Sequence, residues 1–205
     1  NCKIYLFIST SISLLIVLTM MYVISLRLFE VDFIKVWFEL WSESFIQGNK
    51  ISEQVSGQVA IPEDQLNLFI DTFNTIVPAI ITIAVALLAL ALISINLPVL
   101  KRFNINVPKF SQFKSLRLPK AVLWYYLIVL IITIFVNPEV GTPLYVIILN
   151  FSVVLWILLT LQGVSFIYFV IDEKKLPKFL KVLTAFFSIP FYSIVLLIGV
   201  FDLGF

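Results

Sequence analysis

Long apolar runs without a charged side chain dominate this sequence. Five of them cover residues 4–26, 72–100, 121–137, 140–171 and 182–201. A transmembrane helix needs about 20 apolar residues, and backbone groups in lipid must find hydrogen-bond partners within their own segment. The runs also lack the period-2 alternation of an outer-membrane barrel. The pattern therefore predicts an all-α, polytopic transmembrane helical bundle with about five transmembrane helices.

Prolines and polar residues set the expected ends of these helices. We expect transmembrane helices over residues 4–26, 62–98, 118–137, 142–171 and 182–201. The second begins at Pro62 because proline suits the first turn of a helix, and kinks are predicted at Pro78 and Pro190. We interpret residues 1–205 as a single transmembrane domain, an excerpt of a longer chain, because the sequence opens without methionine.

A different pattern occupies residues 29–46. Polar and charged side chains recur there on one stripe at helical spacing, at Asp32, Lys35, Glu39, Ser42 and Glu43. Apolar residues, including Trp37 and Trp41, cover the other positions, which predicts an amphipathic helix. We expect it to lie in the outer interface or against other helices, with a lid over a cavity as the functional alternative. Residues 47–61 are polar and contain two glycines, which predicts a loop.

Basic residues concentrate in two segments between apolar runs. Residues 101–120 contain six bases and no acid, namely Lys101, Arg102, Lys109, Lys114, Arg117 and Lys120. Residues 172–181 contain four more, Lys174, Lys175, Lys178 and Lys181. Because short loops rich in Lys and Arg stay in the cytoplasm, both segments are predicted to face it. Five alternating crossings of a bacterial cell membrane then place the N-terminus inside and Phe205 outside.

Composition agrees with this architecture and narrows the chemistry. Hydrophobic residues make up 61% and charged residues 13% of the chain, and the mean hydropathy is +1.09. The chain has no histidine and one cysteine, Cys2, which excludes an internal disulfide and any histidine-based metal site or general base. No carboxylate lies deep within an apolar run, and ion-coupled transporters usually keep an ionisable group there. We expect no enzyme, metal or cofactor.

Four polar residues near or within the apolar runs are candidate ligand contacts. Asp71 and Asn74 lie one helical turn apart where the second helix enters from outside. Asn150 and Gln162 share the fourth helix, but their spacing of twelve residues places them roughly 120° apart around it. The first interpretation is a hydrogen bond to a neighbouring helix, or an ordinary water-facing helix end for Asp71 and Asn74. Ligand binding is the alternative.

The six-base segment has three alternative explanations. Its charge is accounted for by the positive-inside bias alone. Basic residues beside a bilayer also bind anionic lipid headgroups or an acidic partner. Nucleic acid is not an expected partner, because the segment contains no recognisable binding module.

Several local sequences together resemble one family. They are Lys109-Phe110, Leu116-Arg117-Leu118-Pro119-Lys120, Leu123-Trp124-Tyr125-Tyr126, Asn150, Gln162-Gly163-Val164-Ser165-Phe166-Ile167 and the ending Gly199 to Phe205. This set resembles the YybS family of uncharacterised multipass membrane proteins of Firmicutes. That family is distantly similar to the substrate-binding subunits of energy-coupling-factor transporters, so the resemblance implies a small-ligand cavity without a particular ligand. Members continue past Phe205 with a basic tail, so the side on which Phe205 lies stays open.

Two functional hypotheses follow. The first is a small-ligand-binding or transport-related membrane subunit, powered by an ATPase module that docks on the basic loops. The alternative is a non-transporting envelope scaffold or regulator of cell-wall, division or sporulation machinery, for which the acidic outer segment, residues 27–71, offers a partner surface. A pocket with convergent Asn, Gln or Tyr side chains favours the first hypothesis, and a closed apolar bundle favours the second.

Overall fold

The computed structural model describes residues 2–56, 61–103 and 113–205, and their regular secondary structure is entirely helical. The eight α-helices are α1 (Cys2–Leu28), α2 (Phe33–Ser56), α3 (Glu63–Thr75), α4 (Val77–Arg102), α5 (Ala121–Phe135), α6 (Pro143–Glu173), α7 (Phe179–Phe187) and α8 (Tyr192–Gly204). A single 3-10 turn, Phe113–Ser115, precedes α5. The predicted helical membrane bundle is therefore confirmed. The chain divides into two compact units, Asn1–Pro108 and Lys109–Phe205, which are described separately.

Within the described residues, three helices are long and apolar enough to cross a membrane: Tyr5–Leu28 of α1, then α4 and α6. The bent pair of α7 and α8 makes a fourth if it is one span. Helix α5 is apolar but has only 15 residues, so it rises about 22 Å against a hydrocarbon core of about 30 Å. Each of the five apolar runs thus contains helix, but not each is a full-length span.

In the first unit, α1 packs on α4, and aromatic rings join α2 to α3. The ring centroids of Trp41 and Phe73 lie 4.2 Å apart, and those of Phe45 and Phe69 lie 5.3 Å apart. The predicted amphipathic helix corresponds to α2, but α2 continues to Ser56 through residues predicted as a loop. The side chain of Asn49 supports this extension, because it exchanges two hydrogen bonds of 3.1 Å with the backbone of Ile61.

The second predicted helix, residues 62–98, differs from the structure at Pro78 and at Pro98. It is interrupted at Ile76, so that α3 ends at Thr75 and α4 begins at Val77 with Pro78 in its first turn. A proline ring clashes with the carbonyl four residues earlier, and at a helix start this clash is avoided. Helix α4 then continues through Pro98 to its end, which extends the helix beyond its predicted limit.

Helix α6 is the centre of the second unit, where α5, α7, α8 and the 3-10 turn all pack against it. Leu159 of α6 forms a buried cluster with Leu196 and Leu203 of α8. The two helices approach closely at Gly163 and Gly199: a methyl group on Gly163 would overlap the Val195 carbonyl, and one on Gly199 the Leu159 carbonyl. Side chains at these positions would therefore force the helices apart.

The fifth predicted helix, residues 182–201, is broken into two. Helices α7 and α8 are separated by four residues, 188–191, and the chain bends there by 110°. Pro190 lies in this break, where it cannot donate a backbone hydrogen bond. The kink expected at this proline is thus a complete interruption of the helix.

Candidate functional site

The four candidate ligand contacts lie in different surroundings. Asp71 and Asn74 are both exposed, one turn apart on α3. Asn150 is half-buried on α6, and its side-chain amide donates to the Val146 carbonyl of the same helix at 2.8 Å. Gln162 is only 1% exposed. Of these four residues, Gln162 is therefore the one built into a buried polar cluster.

The Gln162 side chain joins three parts of the second unit. Its Oε1 accepts a hydrogen bond from the backbone N–H of Leu118 at 3.0 Å. Its Nε2 donates to the Leu116 carbonyl at 3.2 Å and to Oδ2 of Asp202 at 2.5 Å. Both amide protons and the amide oxygen are thereby used within the chain. The amide links α6 to the segment before α5 and to the end of α8.

Further polar side chains continue along the same stripe of α6, at spacings of three or four residues. The Ser165 hydroxyl, 1% exposed, donates to the Phe113 carbonyl at 2.8 Å. The Tyr168 hydroxyl donates to the Lys181 carbonyl at 2.8 Å, and its ring meets the Phe113 ring edge-on. We call Gln162, Ser165, Tyr168 and Asp172 the polar stripe of α6.

Asp172 ends this stripe with two ion pairs. Its carboxylate oxygens lie 2.9 Å from Nζ of Lys114 and 2.5 Å from Nζ of Lys181. One lysine belongs to each of the two basic segments predicted to be cytoplasmic. The structure therefore brings part of both segments to the same end of α6, as a common membrane side requires.

The polar stripe of α6 binds the backbone of the six-base segment just before α5. Backbone groups outside regular helices need partners, and Gln162 and Ser165 supply them along residues 113–118. Of the six predicted bases, Lys114 is paired with Asp172, while Arg117 and Lys120 are exposed. Lys101 and Arg102 end α4 in the first unit, and Lys109 lies outside the described residues.

A cavity of about 280 Å³ opens beside this ordered segment. Its lining combines two cations, one carboxylate, two hydroxyl groups and two aromatic rings: Lys114, Ser115, Leu116, Arg117, Ser165, Phe166, Phe169 and Asp202. Such a surface suits a small molecule with an anionic group and an apolar part. A larger groove of about 550 Å³ runs along α1, but its lining is almost wholly apolar, as expected of a surface that faces lipid or another helix.

Sequence reasoning missed Asp202, Ser165 and the pairing of Asp172 with two lysines. Asp202 stands at the end of an apolar run, and nothing along the chain indicates that it meets Gln162, which is 40 residues away. A usable signal existed for Ser165, because it follows Gln162 by three residues in the same apolar run. Within the described residues, no group of three or more Asp, Glu or Cys side chains could hold a metal ion.

Comparisons with known proteins agree with this membrane architecture. A family model described as "Predicted membrane protein (DUF2232)" matches residues 3–203. The uncharacterized protein YybS of Bacillus subtilis (strain 168) is 33% identical over 155 residues, which cover 74% of this chain and 48% of that protein. The chain thus spans about half the length of this curated relative. No solved structure matches.

Proposed function

The chain belongs to the DUF2232 family of predicted membrane proteins, and on that premise we propose that it is a transport-related membrane subunit that binds a small ligand. The observation that carries this proposal is the cavity lined by Arg117, Phe169 and Asp202. Its volume of about 280 Å³ lies just below the roughly 300–1,000 Å³ typical of ligand pockets. A small metabolite therefore fits better than a lipid or a peptide.

The lining indicates which chemical groups the ligand carries. Arg117 is exposed and presents a guanidinium, which binds carboxylate or phosphate in a bidentate manner. Phe166 and Phe169 offer an apolar wall for the rest of the molecule. Asp202 keeps a carboxylate at the cavity, where it repels a second anionic group and accepts a hydrogen bond from a hydroxyl or ammonium group. A small anionic or zwitterionic metabolite matches all three.

In this proposal the chain binds its ligand without transforming it. The Ser165 hydroxyl donates to the backbone carbonyls of Phe113 and Leu116, so it is not activated by a base as a nucleophile requires. Energy for transport comes from an acidic ATPase partner that docks on exposed lysines beside the site. Lys174, Lys175 and Lys178 offer that cationic surface in the segment tied to Asp172 through Lys181.

One observation favours the envelope scaffold as a second candidate. The Gln162 amide is the most deeply buried of the candidate contacts, and its donors and acceptor all bond the chain itself. A side chain whose hydrogen-bonding groups are all used within the chain suits a role in stabilising the bundle. The exposed apolar side chains of α2, Phe33, Trp37 and Leu40, provide a surface for another envelope protein in that case.

The two candidates separate in one experiment. The full-length protein is purified gently from its own membrane, and native mass spectrometry identifies every small molecule and protein that stays bound. The comparison includes Arg117→Ala at the cavity and Lys120→Ala, an exposed base outside the cavity lining. We expect a stoichiometric metabolite in the wild type and in Lys120→Ala, and its loss from Arg117→Ala. An empty bundle with envelope-assembly proteins attached refutes the ligand-binding proposal and supports the scaffold.

A further inference from the structure

Helix α2 carries an apolar stripe that the described part of the chain leaves largely uncovered. Its five members recur at helical spacing and are 53–81% exposed: Phe33, Trp37, Leu40, Ile51 and Val55. We call them the exposed stripe of α2. We infer that α2 lies flat on the membrane, with this stripe among the lipids of the outer leaflet. The inference concerns the first unit alone and does not depend on the proposed ligand.

Three separate faces run along α2. At about 100° per residue, the exposed stripe occupies an arc of about 60°. Trp41 and Phe45 lie about 90° from its centre, where their rings contact aromatic rings of α3. Exposed charged side chains occupy a third face about 130° from the stripe: Lys35, Glu39, Glu43 and Lys50. Helix α3 therefore covers one face of α2, and the two remaining faces separate apolar from charged groups, as in a helix between lipid and water.

A polar residue within the stripe does not oppose this assignment. Ser44 lies on the same arc between Leu40 and Ile51, and its hydroxyl donates to the Leu40 carbonyl of α2 at 2.7 Å. Because a backbone acceptor already binds this hydroxyl, its transfer from water towards lipid costs less than that of an unbonded hydroxyl. The stripe thus stays compatible with lipid along its whole length.

The beginning of α2 is held at the end of the membrane helix α1. The Tyr22 hydroxyl donates to Oδ2 of Asp32 at 3.2 Å, and the Ser25 hydroxyl donates to the Val31 carbonyl at 2.5 Å. Asp32 also accepts a hydrogen bond of 3.0 Å from the N–H of Lys35, in the first turn of α2. Tyr22 and Ser25 belong to the last two turns of α1. Helix α2 therefore starts at the boundary of the bilayer.

The partner helix α3 returns to the same boundary. Of the described helices in the first unit, α1 and α4 are the two that are long and apolar enough to cross a membrane, and α3 ends one residue before α4. Contacts between α2 and the segment that includes α3 follow an antiparallel order, Trp41 with Phe73, Phe45 with Phe69 and Asn49 with Ile61. The first turn of α2 and the last turn of α3 therefore both lie at the membrane surface.

The length of the stripe decides between a flat and an upright hairpin. From Phe33 to Val55 it extends over 22 residues, or about 33 Å. An upright α2 would place Val55 about 33 Å from the surface, with Ile51 beside it in water. A flat α2 brings the whole stripe into lipid and leaves Glu39 and Glu43 towards water. It also places Trp37 at the interface, where tryptophan is enriched.

Charge indicates the leaflet and the kind of attraction. Residues 27–71 contain eight acids and three bases, and such a segment is not retained in the cytoplasm by the positive-inside rule. Helix α2 itself contains three acids and two bases, so anionic headgroups do not attract it. Its binding to the outer leaflet rests on burial of the apolar stripe, and it should not depend on anionic lipid.

Spin labels on α2 test this arrangement in the full-length protein, reconstituted in vesicles of phosphatidylethanolamine and phosphatidylglycerol. Cys2 and any other native cysteine are replaced by alanine, and one cysteine is introduced at a time for labelling. Leu40→Cys and Val55→Cys probe the stripe, and Glu43→Cys and Lys50→Cys are matched controls on the charged face, all at exposed positions. Electron paramagnetic resonance measures collisions of each label with oxygen, which concentrates in lipid, and with a water-soluble nickel chelate.

We expect a higher ratio of oxygen to nickel collisions at both stripe positions than at both controls. A ratio at Val55→Cys as low as at Glu43→Cys indicates an upright helix and overturns the inference. Exclusion of both reagents from the stripe overturns it as well, because a protein or another helix then covers these side chains. Circular dichroism checks that each variant keeps the helix content of the wild type, and Ile51→Cys replaces a stripe variant that does not.

The lipid composition separates apolar burial from charge attraction. In vesicles of phosphatidylcholine alone, the ratios at Leu40→Cys and Val55→Cys are expected to stay unchanged. Their fall to the level of the controls overturns the apolar basis of the contact. Arg117 lies in the second unit, so loss of the bound metabolite from Arg117→Ala leaves these ratios unaffected, and the two proposals fail separately.

Discussion

Replacement of Gln162 by leucine tests whether the polar stripe holds the basic segment on α6. Leucine nearly matches glutamine in volume but can neither donate nor accept a hydrogen bond. The substitution removes the acceptor of the Leu118 N–H and the donor to Asp202. The Leu116 carbonyl also loses a donor, but it keeps the Ser165 hydroxyl at 3.3 Å.

The magnitude follows from these three bonds. A neutral hydrogen bond contributes about 0.5–1.5 kcal/mol and one to a charged group about 1.5–3 kcal/mol. Asp202 is only half-buried and recovers part of its solvation from water, and bonds between membrane helices average only about 0.6 kcal/mol. We expect Gln162→Leu to lower the free energy of unfolding by about 2–4 kcal/mol, because the half-buried Leu118 N–H loses its acceptor and Asp202 loses its donor.

The assay is equilibrium unfolding of the purified protein in mixed micelles with increasing dodecyl sulfate, followed by circular dichroism. Thr133→Val is the control in the same unit, because the exposed Thr133 hydroxyl bonds only the Val129 carbonyl of its own helix at 2.8 Å. It should stay within about 0.5 kcal/mol of the wild type. A double-mutant cycle of Gln162→Leu with Asp202→Leu should give a coupling of about 0.5–3 kcal/mol. If Gln162→Leu is as stable as Thr133→Val, the polar stripe does not hold the segment.

Two further predictions concern helix packing and charge. Gly199→Ala should lower the free energy of unfolding by about 1–2 kcal/mol, because overpacking costs about 1–3 kcal/mol and outweighs the gain of about 1 kcal/mol in helix propensity. The control is Gly48→Ala, which should raise the free energy of unfolding, because a methyl group at Gly48 meets nothing within 4 Å. If the two alanine variants change the free energy of unfolding equally in the same assay, close packing at Gly199 is contradicted. Asp172→Asn should lower the free energy of unfolding at low salt and lower it less at high salt, because its two ion pairs are partly exposed and screened. The exposed Glu173→Gln is its control, and a salt-independent loss in Asp172→Asn would refute an electrostatic origin.

The break between α7 and α8 gives the second unit a feature shared with many transporters. In such transporters, the break in a membrane helix leaves backbone N–H and C=O groups free to contact a ligand, because they are not hydrogen-bonded within one continuous helix. In this chain the end of α8 carries Asp202 to the lining of the cavity. This likeness is one of architecture, and the proposed ligand still depends on the side chains at the cavity itself.

The part of the fold that follows from hydropathy could be predicted without coordinates. A single apolar segment in lipid can satisfy its own backbone hydrogen bonds only as a helix. Helix α6 agrees with its predicted limits to within two residues. The amphipathic stripe likewise indicated α2. Its extension to Ser56 was missed because the supporting bonds come from Ile61 through the Asn49 side chain. A local polar composition does not reveal such a partner.

The candidate site was only partly visible in the sequence. The polar residue Gln162 stood out within an apolar run, and the basic segment stood out by its charge. Neither feature showed that the Gln162 amide binds the backbone of that segment. Asp202 and Asp172 each directly follow an apolar run, and hydropathy scores a carboxylate by its neighbours in the chain and not by its partners in space.

The sequence by itself determined that this protein is a multipass helical membrane protein, because the transfer of apolar side chains from water to lipid depends on each run alone. It also determined which loops are basic. Only the tertiary structure decided that the fifth apolar run breaks and bends at Pro190, that Gly163 meets α8, and that two basic segments converge on Asp172. These features depend on contacts between residues distant in the chain. Hydropathy constrains each helix separately, whereas packing and hydrogen bonding choose how the helices meet.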